Sequence, residues 1–529
     1  MANGGSESAP EPYAAVAETA SAVVFLAGDR ACKLKKPVSL GFLDFTTRQA
    51  RAAACERETE LNRRFAPDVY LGVASVHGAA GELCDHLVMM RRMPAGRRLS
   101  ALVRAGEPAD GALRQVARIV AAQHERAHRS AQIAAEGSRD AVLRRWDDSL
   151  AQLASLPARQ EDRAMVTEIG LLARRFLAGR EPLFDRRVAG GRIIDGHGDL
   201  LADDIYCLAD GPRVLDCLDF DDRLRWLDGL DDAAFLAMDL ERLGVPDLAR
   251  HFTDWYAEYS GDPAPASLRR HYVAYRALVR AKIARIRAAQ DEPAAGCEAQ
   301  QLAGIALRHL HAGAVTLVLV GGLPGTGKST LAGPLADRLG WTILTSDRIR
   351  KELAGTEPGD DTPVDDAAAP YGTGIYTAEW TQRCYAELLH RAAALLATGE
   401  SVIADASWLS ARQRAAAAAV AGAASADLIE LRCEASAALT ARRLTDRRLA
   451  SRRGDLSDAD PEVAARLAAA ADPWPSATVI DTEAGSTEPA GTGPSSVSTG
   501  EPVRRALEVI RPHGPQHVWR PSRPVLLPD

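Results

Sequence analysis

Residues Val315–Thr330 read V-T-L-V-L-V-G-G-L-P-G-T-G-K-S-T, and no other stretch restricts the fold as tightly. A short run of valine, leucine and threonine has the length and branching of one buried strand. It breaks into a glycine-rich turn, and Lys328, Ser329 and Thr330 then open a helix. Gly322, Gly327, Lys328 and Ser329 fill the spacing G-x-x-x-x-G-K-[ST]. In such a turn the backbone N–H groups wrap phosphate oxygens, the lysine meets the β and γ oxygens, and the serine hydroxyl ligates magnesium. The segment Gly322, Leu323, Pro324, Gly325, Thr326, Gly327, Lys328, Ser329 and Thr330 is therefore read as a cradle for a nucleoside triphosphate.

A chain of 529 residues is too long for one ordinary core, and several domains are expected. With 47% hydrophobic and 26% charged residues it has the composition of a globular protein. Its net charge of −7 supplies no bulk attraction for nucleic acid. The eight cysteines form no C-x-x-C pair, which points away from structural zinc and disulfides and toward a reducing, cytoplasmic setting. Residues Met1–Pro12 lack the basic start and apolar centre of a signal peptide, and no run of eighteen apolar residues offers a membrane span.

After Val315, strand and helix patterns alternate, which predicts a parallel sheet with helices on both faces. The strands are placed at 315–320, 342–345, 401–404, 428–432 and 477–480. Ligands of such sheets bind beyond the carboxyl ends of the strands. The second strand is followed by S-D-R-I-R-K, where Asp347 is positioned to take the proton of an attacking hydroxyl and Arg350, one turn on, to meet an anion. A helix cap by Ser346 or Asp347 explains the same residues and is compatible with that role. After the third strand comes Asp405, in the place of a carboxylate that orients a magnesium shell. A helix over 435–453 carries six arginines; Arg443 and Arg447 are its candidates for cations that close on a γ-phosphate, a solvated helix face being the alternative.

The first half holds a second concentration of chemistry. Two strands, 22–26 and 31–35, are joined by Gly28-Asp29 and end in Lys33-Leu34-Lys35-Lys36. A helix over 46–65 contains Glu56, Glu58 and Glu60, strands return at 71–76 and 87–90, and Met93-Pro94 reads as a hinge between lobes. Asp110 is read as the cap of a helix whose Leu113, Val116 and Val120 recur at helical spacing. Farther on, H-G-D-L at 197–200 and D-C-L-D-F-D-D at 216–222 flank two short strands, 205–208 and 213–218. Carboxylates on both sides of a hairpin suit phosphoryl transfer, one orienting the acceptor hydroxyl and others holding magnesium.

His197-Gly198-Asp199-Leu200 with Asp219-Phe220-Asp221 resembles the catalytic segment of the aminoglycoside phosphotransferase-like kinases, over roughly residues 20–290. That resemblance implies a two-lobed, protein-kinase-like fold. It assigns Asp199 as the catalytic carboxylate, Asp219 as a metal ligand, Lys33 as the lysine on the nucleotide phosphates and Glu58 as its helix partner. Lys35, Lys36 and Glu56 stand as alternatives for the pair, and Asp216 competes with Asp219. Where the family has asparagine, five positions after the catalytic aspartate, this chain has Asp204, a further oxygen ligand for magnesium with added charge. No glycine-rich loop lies between the first strands. His197 is read as a support of the loop, and Asp228 and Asp232 as braces that also cap the next helix. The basic helix over 268–290 is read as a solvated or interdomain face, a polyanion site being the alternative.

The second half resembles the P-loop kinases of the polynucleotide-kinase and zeta-toxin type through G-G-L-P-G-T-G-K-S-T, S-D-R-I-R-K and V-I-A-D-A-S. The combined expectation is an α+β kinase-like domain at 16–295 after a short tail at 1–15, a linker helix at 296–313, and a three-layer α/β/α domain at 314–482. A polar insertion at 483–501 and a C-terminal helix and tail at 502–529 complete it. The resemblances imply a bifunctional, ATP- and Mg²⁺-dependent phosphotransferase acting on small hydroxyl compounds. A polynucleotide 5′-hydroxyl kinase in the second half, and a regulatory ATP-binding protein with a pseudokinase first half, are the alternatives; oligomeric state stays open.

Overall fold

The computed structural model of the chain describes residues 12–19, 21–39, 44–290, 292–355, 374–450, 461–483 and 500–510, without the side chains of 293, 447–450 and 461–462. The chain divides into two compact units, the boundary falling between Gly313 and Ala314, with 178–180 assigned to the second.

In the first unit, β1 (Ala14–Glu18), β2 (Ala22–Ala27), β3 (Arg30–Lys35), β4 (Tyr70–His77) and β5 (Leu83–Arg91) form an antiparallel sheet in the order β1-β2-β3-β5-β4. β1 takes in Ala14 and Ala15, which the sequence reading left in the N-terminal tail; their strand character comes from pairing with Ala27 and Leu26 of β2. The turn between β2 and β3 needs Gly28, whose φ of 57° lies in the left-handed region. The helix Arg48–Arg63 is capped by the Thr47 hydroxyl, which accepts from Ala50 N. Its Cys55 packs with Val69, with Tyr70 and Val88 of the sheet, and with Tyr206 and Leu215 beyond it. Cys55 and Glu58, three residues apart, share the helix face turned to the sheet, one serving its apolar packing and the other its lysines.

Beyond Met93 the unit is helical. Leu113, Val116 and Val120 are buried as their spacing requires. Asp110 is the first residue of its helix and not the cap, a role taken by Ala109 without a side-chain bond. Two small hairpin-like pairs interrupt the helices: β6 (Ile193–Asp195) with β9 (Trp226–Asp228), and β7 (Ile205–Leu208) with β8 (Gly211–Val214). The strand read over 213–218 thus ends early, because Asp216 adopts φ 62° and turns the chain out of the ladder. Two long helices, Ala266–Ala289 and Pro293–Ala312, pack together and close this unit.

The second unit is a five-stranded parallel sheet in the order β11-β12-β10-β13-β14, from β10 (Thr316–Gly321), β11 (Thr342–Thr345), β12 (Val402–Asp405), β13 (Asp427–Glu434) and β14 (Thr478–Asp481). Val318, Val320, Ile403, Leu431 and Ile480 are buried with Leu331 and Leu335 of the following helix and with Val503 and Ala506 of the helix Glu501–Ile510. β10 is central, and the chain leaves it for β11 on one side and later reaches β13 on the other. Such a reversal opens a crevice at the carboxyl end of β10. Residues 1–11, 356–373, 484–499 and 511–529 lie outside the described residues, and with them most of the tail and insertion named above.

Candidate active sites

In the second unit the chain leaves β10 through Gly322, Gly325 and Gly327, at φ 136°, 80° and 87°. A Cβ on Gly322 would stand 2.6 Å from the Cys433 carbonyl oxygen and 2.8 Å from Thr326 Oγ1, so glycine there is a steric requirement. The helix Lys328–Leu339 begins directly after the turn. Lys328 Nζ donates to the Leu323 carbonyl at 3.0 Å, folding back over the loop. Ser329 Oγ donates to Asp405 Oδ2 at 2.7 Å. In the ladder Asp405 lies opposite both Val320 of β10 and Thr345 of β11, which puts the ends of three neighbouring strands beside one hydroxyl. Burial pushes the Asp405 carboxyl up, Ser329 and Lys328 pull it down, and Asp347 adds a repulsive charge, the net shift being upward. Asp347, Asp405, Lys328 and Ser329 are thus brought together around the loop.

Arg350, expected to meet an anion, and Arg443, expected in a lid, both have protein partners. Arg350 is buried, donates to the Ile375 carbonyl at 2.8 Å and lies over the Tyr376 ring at 5.3 Å. Arg443 donates to the Thr482 carbonyl at 3.0 Å and approaches the Gly325 carbonyl at 3.5 Å. Thr482 Oγ1 in turn donates to the Thr326 carbonyl at 2.8 Å. Arg443, expected as a lid cation, thus ties the phosphate loop to Thr482, the residue after β14, a partner remote in sequence. The side chain of Arg447 lies outside the described residues.

In the first unit Lys33 Nζ lies 2.8 Å from Glu58 Oε1 and 3.1 Å from Asp216 Oδ1. Lys35 Nζ lies 2.8 Å from Glu58 Oε2 and 2.7 Å from Asp219 Oδ2. Lys36 turns away to Glu18 and the Thr19 carbonyl. Glu58, deeply buried, thus takes both lysines of β3, which share a face because strand side chains alternate. Burial opposes its ionisation, yet the two ammonium groups hold its carboxyl below the usual range.

Asp199, Asp204 and Asp216 share one electrostatic environment. Desolvation raises Asp199 to about 6, with Asp216 adding to it and Arg280 and Arg276 opposing. Asp204 is pushed up well above the usual carboxylate range by burial and then by Asp216, Asp199 and Asp203. Asp216 is held down by the charge of Lys33. Asp219, expected as the metal ligand, pairs with Lys35, while Asp216, its competitor in the sequence, is the carboxylate whose charge acts on Asp199 and Asp204. A left-handed turn at Asp216, φ 62°, follows directly on β8 and sets the two carboxylates apart.

The loop carrying Asp199 is held from below. Asp232 accepts from His197 N at 2.6 Å, from Gly198 N at 2.9 Å and from His124 Nε2 at 3.0 Å. Asp228 caps the helix Gly229–Arg242 by accepting from Leu230 N, so both residues brace as the sequence implied. His197 is buried, its Nε2 3.0 Å from the Leu215 carbonyl and its ring edge-on to Phe65, a support and not a reactant. Lys35, read from the sequence only as an alternative to Lys33, joins it on Glu58; the pairing of Arg276 with Asp231 at 2.7 and 2.8 Å was missed, the helical spacing of the arginines being the available signal.

Among the described residues, no three His, Cys, Asp or Glu side chains converge tightly enough to hold a metal ion as they stand. The donor sets nonetheless suit magnesium, a hard cation that takes carboxylate and hydroxyl oxygens. Ser329 with Asp405 offers one such set, and the mutually repelling Asp199, Asp204 and Asp216 offer the other, whose repulsion a cation relieves. Lysine–glutamate pairing, an aspartate-bearing loop and a second carboxylate after the hairpin give the first unit the arrangement that the resemblance to the aminoglycoside phosphotransferase-like kinases implies. The second unit is a P-loop, kinase-like domain.

A family model described as an AAA domain matches residues 317–474. The uncharacterized proteins Rv2004c of Mycobacterium tuberculosis H37Rv and Mb2027c of Mycobacterium bovis are each 41% identical over 512 residues, covering 96% of this chain and 96% of their own length. A choline/ethanolamine kinase family protein from Mesorhizobium loti is 16% identical over 57% of this chain and 92% of its own, with a TM-score of 0.36. No helix of the described residues is long and apolar enough to cross a membrane.

Proposed function

The chain belongs to the family of these full-length mycobacterial relatives, and we propose that it is a bifunctional ATP-dependent phosphotransferase with one site in each unit, each acting on a hydroxyl of a small molecule. The observation that carries this reading is duplication of the chemistry. Lys33, Glu58, Asp199 and Asp216 form one phosphate-handling set, and Lys328, Ser329, Asp347 and Asp405 form another on an unrelated fold.

In the first unit Lys33, fixed by Glu58, orients the nucleotide phosphates. Asp199 holds the acceptor hydroxyl in line with the γ-phosphorus and receives its proton as the new O–P bond forms and the bond to the departing ADP breaks. Asp204 and Asp216 would hold magnesium, which when bound supplies charge neutralisation at the phosphates. In the second unit the backbone of the loop and Lys328 cradle the phosphates, Asp347 orients the acceptor, and Ser329 with Asp405 would hold the metal. The Arg443–Thr482 contact keeps the loop in shape for this. Eight free cysteines accord with a reducing, cytoplasmic setting.

The test is ADP release and product mass across sugars, polyols, aminoglycosides, nucleosides and oligonucleotides, comparing wild type with Asp199→Ala, Lys328→Ala and the double variant. Each single variant should remove a different acceptor-dependent activity, and the double variant all of it. Loss of every activity in Lys328→Ala alone would end the bifunctional reading. Activity confined to oligonucleotides, steeply reduced by salt, would favour a 5′-hydroxyl kinase.

A further inference from the structure

The helix Ala266–Ala289 carries a row of arginines that the phosphate-handling sets leave unused. Its position relative to Asp199 is fixed through a shared support, the helix Gly229–Arg242. That support holds the catalytic segment at both ends: Asp232 takes the N–H groups of His197 and Gly198, and Asp239 Oδ2 accepts from Ala202 N at 2.9 Å. It also holds the arginine helix, through the two-pronged bond of Arg276 to Asp231. Arg276 is buried there, with its guanidinium over the rings of Phe235 at 4.8 Å and Tyr275 at 5.4 Å. Its charge is committed to the scaffold.

Arg280 is different. Four residues on, it shares the helix face of Arg276, and it is half-buried. Among the described residues it makes no hydrogen bond or ion pair, and of the cations around Asp199 it exerts the strongest field on that carboxylate. A guanidinium offers five donors in a rigid fork that matches a carboxylate or phosphate. Held near the residue that receives the acceptor hydroxyl, with its fork unused, it is equipped to grip an anionic group on the same acceptor. The same charge repels an ammonium.

We propose that Arg280 is a specificity-determining residue of the first unit, and that the acceptor phosphorylated there is a hydroxyl compound bearing a carboxylate or phosphate. This rests on the phosphotransferase reading of that unit. The transfer itself is unchanged: the acceptor oxygen bonds to the γ-phosphorus, the bond to ADP breaks, and the hydroxyl proton passes to Asp199.

The experiment uses the full chain with Lys328→Ala, so that the second unit is silent, and measures ADP release in matched sets. Glycerate and glycerol 3-phosphate are compared with glycerol, gluconate with glucose, and choline and kanamycin serve as cationic acceptors. At least one anionic member should exceed its neutral partner by 10-fold or more in kcat/KM. Arg280→Gln should raise KM for that acceptor about 10- to 100-fold, the range of a lost charge-assisted hydrogen bond. Arg280→Lys should recover part of the loss, and the neutral partner should be little affected. A preference for neutral or cationic acceptors overturns the inference and leaves the phosphotransferase reading intact. So does a change in kcat with KM unmoved, which would reduce Arg280 to a modulator of Asp199. If no acceptor gives release that Asp199→Ala abolishes, the phosphotransferase reading fails and takes the inference with it.

Discussion

Lys35 Nζ lies 2.7 Å from Asp219 Oδ2 and, through its second contact with Glu58, ties the end of β3 to both the helix Arg48–Arg63 and the segment after β8. Lys33 spans the same helix and Asp216. One lysine thus faces the reacting groups while its neighbour on the same strand face joins three elements of the lobe interface. Removing one partner of a buried ion pair is costlier than removing both, because the remaining charge is stranded.

Lys35→Met, which leaves Asp219 without its lysine while Lys33 still holds Glu58, should therefore destabilise the first unit by about 1–3 kcal/mol. Lys33→Met should instead act on nucleotide use, since Lys35 still neutralises Glu58. Calorimetry of the full chain checks the first statement, as one transition moving down while the other stays. ATP dependence of ADP release in the Lys328→Ala background checks the second.

Asp216 and Asp219 should separate in the same way. Asp216→Asn removes a carboxylate from the cluster with Asp199 and Asp204, and the Asp199-dependent rate should fall on the order of 10²- to 10³-fold, as when one preorganised charge contact is lost. Asp219→Asn should keep most of that rate and lose stability through Lys35. Steady-state rates and unfolding temperatures of the two variants decide it; the reverse pattern would return the metal-ligand role to Asp219.

At Gly322 the argument is steric. An alanine there adopts a left-handed φ of 136° and drives its Cβ to 2.6 Å from the Cys433 carbonyl. Backbone strain of about 1–3 kcal/mol follows, and the loop shifts from the position that wraps phosphate. Gly322→Ala should raise KM for ATP at the second site more than 10-fold, measured in the Asp199→Ala background, while Asp199-dependent turnover in the Lys328→Ala background is unchanged by it.

The pH dependence of the first site follows from Asp199. Desolvation places this carboxyl at about 6, against the cations of Arg280 and Arg276. It accepts the hydroxyl proton only when ionised, so the acceptor-dependent rate should fall as pH drops through about 6 and not near the ordinary carboxylate value of about 4. A pH–rate profile in the Lys328→Ala background reads this directly.

Much of this arrangement was legible in the chain because it is local. The phosphate loop, Ser329 and Asp405 are set by strand ends and by glycine positions within a few residues, and the five parallel strands fall within a residue or two of their patterns. The pairing of Lys33 with Glu58 follows from the order of strand and helix. The choice between Asp216 and Asp219 was not legible. Both follow the same strand, and what separates them is a left-handed turn and the lysine of a distant strand that claims one of them. The partners of Arg350 and Arg443 were not legible for the same reason, since the carbonyls of Ile375 and Thr482 belong to segments brought near only by folding.

Asp232 carries the last prediction. Burial alone would raise its carboxyl, but the hydrogen bond and charge of His124 and the N–H of His197 outweigh this and hold it below the usual range. A carboxyl depressed by folding contributes stability that is complete above its unfolded value of about 4 and disappears as pH falls through the folded value. Asp232→Asn keeps the shape and loses the charge, leaving His124 and two backbone N–H groups with a weaker acceptor. The variant should be destabilised by about 3 kcal/mol at pH 7, with the same deficit at pH 5 and a shrinking one below pH 4, where the wild type begins to lose its own advantage. Because the same carboxylate sets the His197–Gly198 backbone, Asp199-dependent turnover should fall with it at pH 7 while turnover dependent on Ser329 does not. Unfolding of the first unit followed across that pH range, with both rates measured at pH 7, would sink the idea if the deficit grew on acidification.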